Sequence, residues 1–253
     1  MKNPFLIAHR GSSFTAPENT MEAVNLAWSE NADAVEVDVH STKDNHVVVI
    51  HDPNVYRTTG TRLKISKSNL DELRELDAGS WKGKQWADAK IPTLNEVIYS
   101  VPKNKRLFIE IKSGVETLLS VKKLIEESIV LYKQITIMDF NLTVVIKAKE
   151  LLPQIESVWL KEFPLLKRTK SAKNELLKSI KIAQKHNLDG LNIQNIKALD
   201  FEIISEMKRN NLKCYTWTVD DSKRATELFN FGIDGVTTNK PKKLRKQIFE
   251  QSL

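Results

Sequence analysis

The sequence predicts an α/β protein whose parallel strands close into a TIM (β/α)8 barrel, with a small insertion after the third strand. Three observations carry that expectation. Short runs rich in Val, Ile and aromatic residues alternate with longer amphipathic stretches along nearly the whole of the 253 residues. Eight to nine such runs, most separated by a helical pattern, follow the βα alternation that builds a parallel sheet. A doubly wound open sheet is the alternative, but no G-x-G-x-x-G follows any run.

Taken in order, residues 5–9 (FLIAH) read as the first strand, and residues 19–31 carry a helical pattern. Residues 34–40 (AVEVDVH) form the second strand. The polar turn at 41–46 is too short for a parallel crossover, so 47–51 should return antiparallel. Pairing about that turn sets His51 roughly opposite Glu36, on the same face. Residues 53–90 show little sustained period, with Trp81 and Trp86 scattered among polar residues. A loop that long inside a compact domain usually serves as a lid or binding element. Thr93 and Glu96 form a capping box that starts a helix over 94–100. Strands are then expected at 106–112, 134–138, 157–161, 190–193, 213–219 and 235–238. Helices are expected at 115–132, 142–151, 172–186, 200–210, 221–231 and 241–249. Ile203, Ile204 and Met207, for example, recur at helical spacing between charges. No repeat, linker or low-complexity segment divides the chain, so residues 1–253 are expected to form one domain that includes the 53–90 insertion.

Composition narrows the class. A hydrophobic fraction of 41% is too high for a disordered chain, and 8 Gly with 8 Pro are too few for a fibrous one. A chain this long can bury roughly 70–75% of its unfolded surface without a covalent staple. Its one cysteine, Cys214 in KCYTW, cannot form an internal disulfide and is expected to be a buried, inert thiol. The net charge of +7 permits attraction to anions. Its sources are scattered lysines (167, 170, 173, 178, 181 and 185) and the stretch KPKKLRK, without aromatic–basic interleaving. A solvated, lysine-rich exterior is therefore expected, with no nucleic-acid partner. No leader with a cleavage site and no membrane-length apolar run is visible, so a cytoplasmic location without membrane insertion is expected if Met1 is the true start.

Chemistry gathers at the strand ends. Glu36 and Asp38 leave the same face of a strand otherwise built of Val and Ala, because side chains alternate with period two. Two carboxylates held together repel unless a cation lies between them. RLFIEIK repeats the pattern, with Glu110 and Lys112 on one face. Three carboxylates from two strands make a hard oxygen site suited to Mg2+ or Ca2+, whereas neither a Cys cluster nor a His pair at zinc spacing is present. His9 and Arg10 close LIAHRG, and His51 and Asp52 close VVVIHD. An imidazole can move protons near neutral pH, and a guanidinium fork fits phosphate oxygens. His40, His46 and His186 fall in turn or surface contexts and are not expected to take part.

HRGSSFTAPENT, DAVEVDVHSTKDNHVVVIHD, YRTTG, IPTLNEV, FIEIK, YTWTVD and DGVTTNKP run in this order from residue 9 to residue 241. With these segments the chain resembles the glycerophosphodiester phosphodiesterases, close to their short cytosolic bacterial type. The resemblance implies a TIM barrel, one divalent cation, and hydrolysis of glycerophosphodiesters to sn-glycerol 3-phosphate and an alcohol. By position it implies Glu36, Asp38 and Glu110 as metal ligands and His9 and His51 as the acid/base pair. Arg10 and Lys112 would face the phosphate, Trp217 would line the mouth, and Glu18 and Asn19 of PENT would shape the site from behind. Asp139, Asp220 and Asn239 depart from the residues usual in that family and unsettle only the pocket wall. A related activity on lysophospholipids is the alternative, with the tryptophans of 53–90 as its apolar access. A non-catalytic phosphodiester-binding protein is the remote one.

Overall fold

Runs of Val, Ile and Ala become eight parallel strands that close on themselves. The computed structural model describes residues 4–163 and 170–249. Among these residues the barrel strands are β1 (Phe5–His9), β2 (Ala34–Ser41), β4 (Arg106–Ile111), β5 (Ile135–Asp139), β6 (Glu156–Lys161), β7 (Gly190–Gln194), β8 (Lys213–Trp217) and β9 (Gly235–Thr238). Each pairs in parallel with the next, and the circle closes where β1 pairs with both β9 and β2. Ile7 aligns with Ala34 and His9 with Glu36 on one seam, while Ile7 aligns with Thr237 on the other. The fold is a TIM barrel, as the alternation predicts.

Helices α1 (Met21–Ser29), α4 (Leu94–Ser100), α5 (Thr117–Glu126), α6 (Leu142–Leu151), α7 (Lys170–Lys185), α8 (Phe201–Arg209), α9 (Ser222–Phe231) and α10 (Pro241–Phe249) pack between the strands. Their apolar stripes meet the outward strand faces, as Ile203, Ile204 and Met207 of α8 do with Cys214 and Leu212. The capping box at α4 forms: the Glu96 amide donates to Thr93 Oγ1 at 3.3 Å, and the Thr93 amide donates to Glu96 Oε2 at 2.8 Å. The helix expected over 115–132 stops at Glu126. Its buried stripe of Leu118, Val121 and Ile125 would continue at 128 or 129, where Ser128 is polar and Ile129 is 83% exposed.

The inward face changes character along each strand. At one end Ile7, Ala34, Phe108, Met138, Val158, Leu160 and Tyr215 form an apolar plug. Phe108 and Tyr215 meet edge to face at 5.1 Å, and Arg106, paired with Glu156 at 3.2 Å, seals the plug from below. Two residues further along the same faces stand His9, Glu36, Glu110, Phe140 and Trp217. Period two thus carries each strand from apolar floor to polar rim.

The hairpin expected after β2 is present but shorter. β3 (Val47–Val49) pairs antiparallel with β2, Val39 aligning with Val49 and Ser41 with Val47. That register leaves His51 beyond the strand end rather than opposite Glu36. The insertion is also more ordered than its weak period suggests. It holds α2 (Tyr56–Thr59), α3 (Leu70–Arg74) and two 3-10 turns, Ile65–Lys67 and Lys84–Trp86. Val55, Ile65, Leu73, Ala78 and Ile91 pack with Val48 and Ile50 into a separate apolar cluster, which fixes the insertion to β3. Cys214 is fully buried, and burial pushes its thiol pKa up, so the thiolate is disfavoured. Lys178, Lys181 and Lys185 are exposed; Lys167 lies outside the described residues. No helix of the described residues is long and apolar enough to cross a membrane.

Candidate active site

The chain must turn sharply after β1 to bring Arg10 and the PENT segment over the barrel mouth. Arg10 and Gly11 both take positive φ, 55° and 81°. A Cβ at Gly11 would lie 2.5 Å from the Ala23 carbonyl carbon, so only glycine lets the turn pack on α1. Asn19, with φ of 58°, then aims its amide inward, and Thr20 caps α1 by accepting from the Ala23 amide at 3.3 Å.

Strand alternation delivers the carboxylates. Glu36, Asp38 and Glu110 are all buried, and each offers an oxygen within 4.8 Å of the others. Asp38 is the best supported. Asn19 Nδ2 donates to it at 2.8 Å, Arg10 Nε stands at 3.1 Å, and Lys112 Nζ at 3.4 Å. Burial pushes its pKa up, but Arg10 and Lys112 outweigh burial and hold it below the usual range. Lys112 also donates to Glu110 at 2.6 Å. Glu36 accepts from the Arg10 backbone amide at 3.0 Å through one oxygen, while Oε1 has no partner among the described residues. Burial first, then the charges of Asp38 and Glu110, raise Glu36 well above its ordinary pKa. Burial and Asp38 likewise raise Glu110 to about 7. With all three ionised, two fixed cations, Arg10 and Lys112, face three carboxylates. Surplus negative charge, oxygen-only donors and the free Glu36 oxygen together fit a hard divalent cation.

Both histidines face the same space. His9, Arg10, Glu36, His51, Glu110 and Lys112 line a cavity of about 330 Å3 together with Met138, Phe140, Leu160, Glu162, Asn192, Trp217 and Thr237. His9 Nε2 lies 4.0 Å from Glu36 Oε2, and its Nδ1 lies 2.7 Å from Asn239 Oδ1. Burial, then the neighbouring Arg10 charge, lowers the His9 pKa. His51 Nδ1 lies 2.6 Å from Asp52 Oδ1. Asp52 is held in turn by Arg57 Nε at 2.7 Å. Glu18 joins the two arginines, accepting from Arg10 Nη1 at 2.8 Å and from Arg57 Nη1 at 3.0 Å. Phe140 and Trp217 meet edge to face at 5.6 Å across the mouth.

Residues 9–243 match the glycerophosphoryl diester phosphodiesterase family. The YhdW protein of Bacillus subtilis is 34% identical over 244 residues, 94% of this chain and 95% of its own length. The chain belongs to the glycerophosphoryl diester phosphodiesterase family. A glycerophosphodiester phosphodiesterase of Caldanaerobacter subterraneus is 32% identical over 247 residues, 94% of this chain and 95% of that one. Among solved structures, an Oleispira antarctica phosphodiesterase in complex with the product sn-glycerol-3-phosphate superposes with a TM-score of 0.83 at 29% identity, covering 96% of each chain.

Every site residue that the sequence singles out lies at this one mouth or directly behind it. In this member of the family, residues that the sequence leaves out of the site, or gives only to the pocket wall, act as supports: Asn239 contacts His9 itself. His40 is buried, not at the surface: its Nε2 lies 3.0 Å from the His51 carbonyl oxygen and its Nδ1 2.9 Å from Ser113 Oγ. It steadies the loop that carries His51. Asp220 accepts from the Asn239 amide at 2.8 Å and from Asn239 Nδ2 at 2.9 Å, which fixes the group contacting His9. Asp139, at the end of β5, is raised to about 6 by burial.

Proposed function

We propose that the barrel mouth hydrolyses glycerophosphodiesters to sn-glycerol 3-phosphate and an alcohol, with one divalent cation, Mg2+ or Ca2+, held by Glu36, Asp38 and Glu110. The observation that carries this reading is the buried triad of carboxylates sharing a cavity with His9 and His51. A bound cation would neutralise charge on the phosphate and favour deprotonation of the attacking hydroxyl.

The chain's own groups supply the rest. Asn239 Nδ2 is committed to Asp220, so Oδ1 faces His9 Nδ1 and requires the proton there. His9 Nε2 then carries the lone pair, and burial favours the neutral ring; it takes the proton of the nucleophile. His51, its Nδ1–H held by the Asp52 carboxylate, gives a proton from Nε2 to the departing alcohol oxygen. The new P–O bond comes from water or first from the glycerol 2-hydroxyl, and the P–O bond to the alcohol breaks. Arg10 and Lys112 meet the charge that builds on the phosphate oxygens. Glu18 and Asn19 hold Arg10 and Asp38 in place, and Trp217 walls the mouth. The cavity lining includes neither Trp81 nor Trp86.

Residues 53–90 belong to the same unit as the barrel in this reading, since Arg57 reaches Glu18 and Asp52 at the site. The test is turnover of glycerophosphocholine, with coupled detection of sn-glycerol 3-phosphate, across a series of divalent ions and in EDTA. Release of sn-glycerol 3-phosphate that EDTA abolishes is expected. Full activity in EDTA would remove the cation, and no release under any ion would remove the reaction.

A further inference from the structure

The part of the cavity lining contributed by β7, β8 and β9 carries three polar atoms with no use in the chemistry above. Asn192 on β7 is 1% exposed and Thr237 on β9 is 2% exposed, and both line the cavity. Asn192 Oδ1, Thr237 Oγ1 and Trp217 Nε1 are buried and have no hydrogen-bond partner among the described residues. Among the described residues, the one hydrogen-bond partner of the Asn192 side-chain amide is the Met138 sulfur, a weak acceptor 3.5 Å from Nδ2. Period two points all three side chains into the barrel. Thr216 aligns with Val236, which brings Trp217 and Thr237 to neighbouring positions, and Asn192 sits beside Tyr215 one step deeper.

A buried polar atom without a partner costs stability that an apolar side chain of the same shape would not. Three of them on one wall of the site form a set of hydrogen-bonding groups awaiting a ligand. They are an acceptor from Asn192, a donor from Trp217 and a hydroxyl from Thr237 that can do either. The complement is a small group whose own atoms both donate and accept, a vicinal diol. Resting on the hydrolytic reading above, we propose that Asn192, Thr237 and Trp217 bind the two free hydroxyls of the glycerol moiety. That moiety is common to every glycerophosphodiester, which matches a set of fixed polar atoms, while the variable alcohol would leave toward the open rim.

Calorimetric titration with sn-glycerol 3-phosphate and with propyl phosphate tests this directly. Propyl phosphate keeps the phosphate and three carbons but lacks both hydroxyls. The wild-type protein should prefer sn-glycerol 3-phosphate by about tenfold or more. Thr237→Val and Asn192→Leu should each reduce that ratio by about fivefold to tenfold. Thr237→Val should also leave the thermal midpoint unchanged or raise it, since its hydroxyl bonds nothing in the fold. A ratio that neither substitution moves, or a midpoint lowered by Thr237→Val, would overturn the diol subsite. Turnover of glycerophosphocholine with an unmoved ratio would sink the subsite alone. A ratio lost in the variants of a protein that hydrolyses no glycerophosphodiester would keep the subsite and remove the reaction.

Discussion

Asn239 and His9, separated by 230 positions, meet at 2.7 Å across the seam where the last barrel strand joins the first. Asp220 accepts from the Asn239 backbone N–H and from its side-chain Nδ2, so the imidazole is held in one orientation and one tautomer. Asn239→Leu should therefore lower kcat by about tenfold or more with a smaller change in KM. The 15N shifts of the His9 ring should report a mixture of tautomers in the variant and one tautomer in the wild type. Unchanged ring shifts would reduce Asn239 to a packing residue.

His9→Ala and His51→Ala should each cost about 10²–10⁴ in kcat while far-ultraviolet dichroism stays native. The two positions are partly exposed at the mouth, so neither truncation opens a core cavity. A wild-type rate in either variant, measured by release of sn-glycerol 3-phosphate, would withdraw that histidine from the acid/base pair.

Glu36→Gln removes a charge whose Oε1 has no partner, while an amide oxygen can still accept from the Arg10 amide. In EDTA the variant should melt at a temperature equal to or above that of the wild type, because an amide cannot ionise beside Asp38 and Glu110. Added Mg2+ or Ca2+ should no longer raise the midpoint, and activity should be lost at every ion concentration. A variant that the cation still stabilises would show that Glu36 is not a ligand.

The contribution of Glu36 and Glu110 to stability in EDTA should fall as pH rises from about 4.5 to about 7. Glu110 has its folded pKa raised from 4.5 to about 7, and Glu36 is raised in the same direction. A carboxyl with a raised folded pKa binds its proton more tightly in the native state, so ionisation in this window works against folding. Asp38 is shifted the other way, and its contribution is lost only at lower pH. A cation competes with these protons, so the midpoint shift produced by Mg2+ or Ca2+ should be larger at pH 8 than at pH 5. Equal shifts at both values would contradict the triad as the binding site. Scanning fluorimetry across the two conditions reads this directly.

The elements that the sequence makes plain are those governed by local periodicity. Glu36 and Asp38 stand out because a strand of Val and Ala gives a carboxylate no reason to point inward except function. Glu110 and Lys112 follow by the same spacing. Contacts made by closing the circle carry no such signal: nothing near residue 239 points to residue 9, and nothing near Asn192 marks it as lining the same cavity. His40 is a different case. It shares parity with Glu36 and Asp38, and that spacing alone could have placed it inside rather than at the turn. The hairpin register escaped for a steric reason, since β3 ends at Val49 where the chain leaves to build the insertion's apolar cluster.

The cavity is divided along the chain itself. Groups assigned to bond breaking come from β1 to the residue after β4, and the rest of the cavity lining comes from β5 to β9. Such an arrangement separates reactivity from selectivity in the gene's own linear order. Drift in the later half can retune how the glycerol moiety is held without disturbing the machinery in the earlier half. Grafting the second half of one relative onto the first half of another becomes a direct route to new substrate preferences, provided the His9–Asn239 seam is kept matched.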